Sequence, residues 1–215
     1  MIKKETLSFL ETLQKNNNRE WFQANKSRYR EAYRDMEDLI SELIFSTAQF
    51  DEKLGLPDPK KCIFRIYRDV RFSTDKSPYK TNFGAIIGLK KNGYYLHIGP
   101  GEYFLACGYY LLLPEQLKKL RKGIYDHFDE LNRIISNPVF RSELGDLQRD
   151  EDKLQRVPND FDKDHPAAEY MKLKRFYVMK PFTEDQLFRD DFVAYTSDIF
   201  RLMMPLKYFL SDLLE

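Results

Sequence analysis

Apolar positions recur at helical spacing at both ends of the chain and switch to short strand-like runs in between. Leu7, Leu10 and Leu13, with Phe9 beside them, mark one face of a helix over 3–15. Asn16-Asn17-Asn18 interrupts it, and Asn18 is placed to N-cap the next helix through its side-chain carbonyl. From 19 to about 47, Phe22, Tyr29, Tyr33, Met36, Leu39 and Leu43 keep one stripe, which predicts a helix of roughly 40 Å. Gly55 and Pro57-Asp58-Pro59 end this part.

The middle reads as β-structure. Residues 61–67, 83–89, 94–98 and 103–112 are rich in β-branched and aromatic side chains. Asn92-Gly93 between two apolar runs predicts a hairpin, because both residues tolerate positive φ. Gly99-Pro100-Gly101 makes the next turn. Pro114 then suits the first position of a helix, whose buried stripe is Leu117, Leu120, Ile124, Phe128, Leu131 and Ile135. Asn137-Pro138 stops that helix. Residues 145–170 are polar, with a short helix expected near 166–171, and 173–180 is suited to return a strand to the sheet. A last helix begins near Asp190 or Asp191 and carries Phe192, Tyr195, Ile199, Leu206 and Phe209, with Pro205 expected to kink or split it. Strands grouped between helices predict an α+β fold: an antiparallel, meander-type sheet of at least four strands, packed by long helices from the N- and C-terminal parts, in one domain over 1–215.

Composition narrows the class. The 215 residues are 42% hydrophobic, 15% aromatic and 32% charged, with a net charge of +1, which excludes a disordered chain. No apolar run reaches the ~18 residues of a membrane span, and the N-terminus lacks the apolar core of a secretory signal, so a soluble cytoplasmic protein is expected. Cys62 and Cys107 stand far apart, with no CxxC or zinc spacing, and read as buried hydrophobes. No metal and no cofactor is implied.

The neutral total hides one uneven stretch. Between Lys60 and Lys80 lie seven basic residues (Lys60, Lys61, Arg65, Arg68, Arg71, Lys76 and Lys80) and two acids, Asp69 and Asp75. A compact positive segment on a neutral body suits a small anion, whereas nucleic-acid binding calls for a broader basic excess. On a strand, Ile63, Arg65, Tyr67, Asp69 and Arg71 would share one face and Cys62, Phe64, Ile66, Arg68 and Val70 the other. Arg68 would then point to the apolar side and require a carboxylate or an anionic ligand. Asp69 is close enough to pair with Arg71. Ser77-Pro78 is suited to cap a short turn whose N–H groups face outward.

Phe64-Arg65-Ile66-Tyr67-Arg68-Asp69-Val70-Arg71-Phe72-Ser73 and Asp75-Lys76-Ser77-Pro78-Tyr79-Lys80-Thr81-Asn82 resemble the signature of an uncharacterised family, domain of unknown function 2461. Asn17-Asn18-Arg19-Glu20-Trp21-Phe22, Tyr94-Tyr95-Leu96-His97-Ile98, Gly101-Glu102, Leu120-Arg121, His165-Pro166-Ala167 and Leu173-Lys174 extend the resemblance along the chain. It implies a single-domain soluble protein and brings no activity, cofactor or catalytic residue.

The chemistry left to weigh is sparse. His97 alternates with Tyr95 on a strand and is a candidate acid or base, as is Asp69; a hydrogen-bonded sheet histidine is the plainer reading. His127 sits beside Phe128 on a helix. His165 precedes Pro166 and enters a helix or closes over a cavity. Ser73 and Ser77 each precede a lysine by three residues, but Pro78 breaks the helix that serine chemistry of that type needs. Trp21 and Phe22 read as core, or as an aromatic wall against the basic segment. The expected function is binding of a small phosphate- or carboxylate-bearing ligand on the sheet face by Arg65, Tyr67, Arg68, Arg71, Lys76, Tyr79 and Lys80, with catalysis left open. The alternative is a non-catalytic module whose arginines form internal ion pairs.

Overall fold

The computed structural model describes residues 2–88 and 93–215. Its fold is α+β. Four antiparallel strands, β1 (Phe83–Ile87), β2 (Tyr94–Gly99), β3 (Glu102–Tyr109) and β4 (Phe176–Pro181), form a meander in the order β1-β2-β3-β4. The membership differs from the expected one: 61–67 contributes isolated bridges, and the fourth strand comes from 173–180. The predicted Asn92-Gly93 turn lies outside the described residues, because Asn92 is not among them.

Within the described residues the chain divides into two compact units. The first holds everything up to 88, with 95–105 and 181–198. Helix α1 (Lys4–Lys15) packs on α3 (Lys26–Ala48), and α3 packs on β1. Phe9, Leu10, Leu13, Met36, Leu39 and Leu43 are buried there as the helical spacing requires. Buried Asp35 of α3 accepts from Lys3 Nζ and Thr6 Oγ1, each at 2.7 Å, so the charge it carries inside is matched.

The long predicted helix over 19–47 is two helices. Asn18 caps α2 (Arg19–Ala24), accepting from Trp21 N at 2.9 Å. Asn25 then leaves helical geometry, and its side-chain N–H donates back to Trp21 O. Such local side-chain bonds compete with helix continuation, which ends α2 after six residues. Before β1 come a 3₁₀ turn (Glu52–Leu54) and α4 (Pro59–Cys62).

The second unit takes 93–94, 106–180 and 199–215. Helix α5 (Pro114–Asp126) begins at Pro114 as expected, but His127 departs from helical geometry and separates it from α6 (Phe128–Ile135). Asn137-Pro138 opens a further helix, α7 (Pro138–Leu144), with the Asn137 carbonyl accepting from Val139 N and Phe140 N. A short α8 (Ala168–Met171) and, in the first unit, α9 (Glu184–Leu187) follow. Helix α10 (Phe192–Asp212) runs through Pro205 without splitting. Cys62 and Cys107 are buried and free. Among the described residues no helix is long and apolar enough to cross a membrane.

Candidate functional site

The basic segment is an irregular two-stranded arm. Phe64 N donates to Gly84 O (2.8 Å), Lys80 N to Ile66 O (2.7 Å) and Arg68 N to Pro78 O (3.0 Å). Isolated bridges join Ile63 to Ala85 and Tyr67 to Tyr79. Partner 84 faces 64, yet partner 80 faces 66, so one side of the arm advances twice as far as the other. That bulge breaks the ladder and the strict alternation of faces. Ile63 and Ile66 are therefore both buried, and Arg68 is not driven into the apolar side.

Arg68 is held by its own loop. Its guanidinium pairs with Asp75 and also donates to Ser77 O (3.3 Å) and Ser73 Oγ (3.4 Å). Hydrogen bonds from Ser77, then the Arg68 contact, hold the Asp75 carboxyl well below the usual carboxylate range. Asp75 also accepts from Ser77 N at 2.9 Å; no helix starts at Pro78, so the expected outward N–H groups are absent from this turn. Arg71 grips Asp69 with two bonds, Nε to Oδ1 at 3.0 Å and a terminal nitrogen to Oδ2 at 2.7 Å. That pairing lowers the Asp69 carboxyl and makes it a poor base. Lys76 Nζ donates to Val70 O at 3.0 Å. Lys60 meets Glu37 at 3.5 Å. Both acids of the segment are thus spent on Arg68 and Arg71. Among the described residues, Arg19, Lys61, Arg65 and Lys80 meet no carboxylate within 4 Å.

The arm meets α2 across an open cleft of about 400 Å³, lined by Arg19, Gln23, Tyr67, Arg68, Val70, Pro78 and Tyr79. Asn17 fixes its wall: its side-chain N–H donates to Tyr79 O (2.9 Å) and its carbonyl accepts from Tyr79 N (3.1 Å), so one amide imitates a neighbouring strand. The Tyr79 ring stacks on buried Phe22 (centroids 3.9 Å, 14° between planes), and Tyr67 leans on both. Phe22 is thereby core and backing for the cleft, while Trp21 stacks on Phe9. Of the residues expected at a site, Tyr67, Arg68 and Tyr79 line this cleft. Arg65, Arg71, Lys76 and Lys80 do not. Arg19 and Gln23 were missed, although their i, i+4 spacing on α2 was readable as a shared face.

Arg65 is exposed, and Lys80 lies with Nζ 5.2 Å from the centre of the Phe64 ring. His97 is a sheet histidine: Nδ1 is 3.0 Å from Tyr95 Oη, its ring lies flat on Phe104 (4.6 Å, 10°), and Nε2 is 3.6 Å from Glu102. Burial pushes its pKa down, with Glu102 opposing. His165 stacks on Tyr125 at 3.9 Å and its Nδ1 accepts from Ala167 N, which accounts for it as a helix-entry residue. Among the described residues no group of three His, Cys, Asp or Glu is placed to hold a metal ion.

No curated protein and no solved structure matches this chain. A family model described as a conserved hypothetical protein, domain of unknown function 2461, matches residues 5–209, and the chain belongs to that family.

Proposed function

We propose that the protein binds a small phosphate- or carboxylate-bearing molecule in the cleft between α2 and the arm. The observation that carries this reading is the state of Arg19: a guanidinium on the cleft wall that no carboxylate of the described residues neutralises. Arg68, already oriented by Asp75 and Ser77, offers its remaining donors from the arm. Gln23 adds an amide, and Tyr67 and Tyr79 add apolar walls. An anion entering there offsets a charge that the protein leaves open, which favours binding over the same anion in water.

A second reading rests on the Arg68–Asp75 and Arg71–Asp69 pairs: the arginines knit the arm together and the protein is an interaction module. Thermal unfolding with inorganic phosphate, citrate, sugar phosphates and nucleotides separates the two. A ligand at 100 times Kd adds about 2.7 kcal/mol, a rise of roughly 5–10 °C for a chain of this size. Arg19→Ala is expected to abolish that rise while changing the unliganded stability by less than about 0.5 kcal/mol, as for other exposed positions. No rise with any anion, or a rise that survives Arg19→Ala, overturns the assignment.

A further inference from the structure

The cleft between α2 and the arm offers polar groups from both walls. Arg19 and Gln23 stand one turn apart on α2, and Arg68 lines the same space from the arm. Asp75, Ser77 O and Ser73 Oγ take their bonds from the two terminal nitrogens of Arg68, so its Nε–H edge stays free. Among the described residues Arg19 meets no carboxylate and Gln23 makes no side-chain hydrogen bond. Two guanidiniums that reach one space from separate elements match a phosphate better than a carboxylate. The terminal oxygens of a phosphate accept on several sides, whereas one guanidinium fork already satisfies a carboxylate.

The two tyrosines of the cleft play different parts. Tyr79 is 2% exposed and its ring is covered by Phe22 at 3.9 Å, so it backs the cleft without offering a face. Tyr67 is 50% exposed. Its ring is inclined to both neighbours, by 49° to Tyr79 at 5.3 Å and by 55° to Phe22 at 6.2 Å, so neither covers it face-on. The backbone beneath that ring is fixed. A bridge joins Tyr67 to Tyr79, and Arg68 N donates to Pro78 O at 3.0 Å. An aromatic side chain held at its base, with a face open to solvent, is a platform on which a flat ring can stack.

Building on the reading above that this cleft takes an anion, we propose that its ligand is a nucleoside monophosphate. The phosphate lies between Arg19 and Arg68, the base stacks on the Tyr67 ring, and the edge of the base meets the Gln23 amide. A carboxamide sets a donor and an acceptor side by side, as the edge of a nucleobase does. The cleft volume of about 400 Å³ lies at the small end of the ~300–1,000 Å³ range of ligand pockets, which suits one nucleotide rather than a strand. The net charge of +1 fits the same size, since a strand calls for a broad run of cations. Ion pairing and stacking act on opposite ends of such a ligand, so each can be removed without the other.

The test is calorimetric titration of the whole protein with AMP, with ribose phosphate (the same molecule without its base) and with inorganic phosphate. AMP is expected to bind about tenfold tighter than ribose phosphate, the worth of one base–aromatic stack. Tyr67→Leu should remove that margin and leave ribose phosphate unchanged, whereas Tyr67→Phe should keep it. Gln23→Ala should shrink the margin about threefold, as the loss of one hydrogen bond does. Arg19→Ala should weaken AMP and ribose phosphate by the same factor, about tenfold. Equal wild-type affinities for AMP and ribose phosphate overturn the nucleotide assignment and leave the anion cleft standing, a result that needs no variant to fold. No binding of any of the three overturns both readings, as does AMP binding that Arg19→Ala leaves untouched. A margin that survives Tyr67→Leu, or affinity that climbs with length along an oligoadenylate series, overturns the mononucleotide stacked on Tyr67.

Discussion

Asn17→Ala removes one side chain and two hydrogen bonds, at 2.9 and 3.1 Å, from both backbone groups of Tyr79. Tyr79 is buried to 2% exposure, so water has little access to the N–H and C=O left behind. A net hydrogen bond is worth about 1 kcal/mol, and an orphaned buried group costs about 1–3 kcal/mol. The expected loss is therefore about 2–4 kcal/mol. With a urea slope of about 2–3 kcal/mol per M, the midpoint should fall by roughly 1 M. Asn18→Ala is the internal yardstick, since it removes a single helix cap worth about 1 kcal/mol. Asn17→Asp keeps the acceptor for Tyr79 N but turns a carboxylate toward Tyr79 O, and should be no better than alanine. Urea titration followed by tyrosine and tryptophan fluorescence reads all three. If Asn17→Ala lies within about 0.5 kcal/mol of wild type, or costs less than Asn18→Ala, the amide is not what holds the arm to α2.

Other outcomes follow from the same geometry. His97 has a folded pKa below its unfolded value near 6.5, so its contribution to stability is complete above about pH 6.5 and is lost as pH falls toward the folded pKa; His97→Gln should flatten that acid-side decline in unfolding free energy, and an unchanged slope refutes it. Gly108 adopts φ +125°, and a Cβ there would stand 2.2 Å from Phe176 O of β4, so Gly108→Ala should cost at least about 3 kcal/mol. Gly55→Ala is the control, because its φ is +66° with nothing within 4 Å, and only the backbone penalty of roughly 1–2 kcal/mol applies. Thermal melts of the two variants check the ranking.

Periodicity and punctuation determined much of this protein from the sequence. The stripes of α1, α3, α5 and α10, the Asn18 cap, the Pro114 start and the α+β meander all follow from local patterns, because helix and strand periods write themselves directly into side-chain spacing. The family could also be read there, from the residues of the arm. The places where one helix becomes two were harder, since Asn25 and His127 interrupt stripes that keep their apolar spacing across the break. Tertiary structure alone decided the arm. A bulge between the 64–84 and 66–80 pairings overrides alternation, so Arg68 turns to Asp75 and Ser77 while Lys80 is left over Phe64. It also decided that Arg19 and Gln23 share a cleft with Tyr67 and Tyr79, because the Asn17 amide joins residues 62 positions apart. Counting charges located the excess of cations; which of them acids neutralise depends on distances between segments that no local pattern encodes.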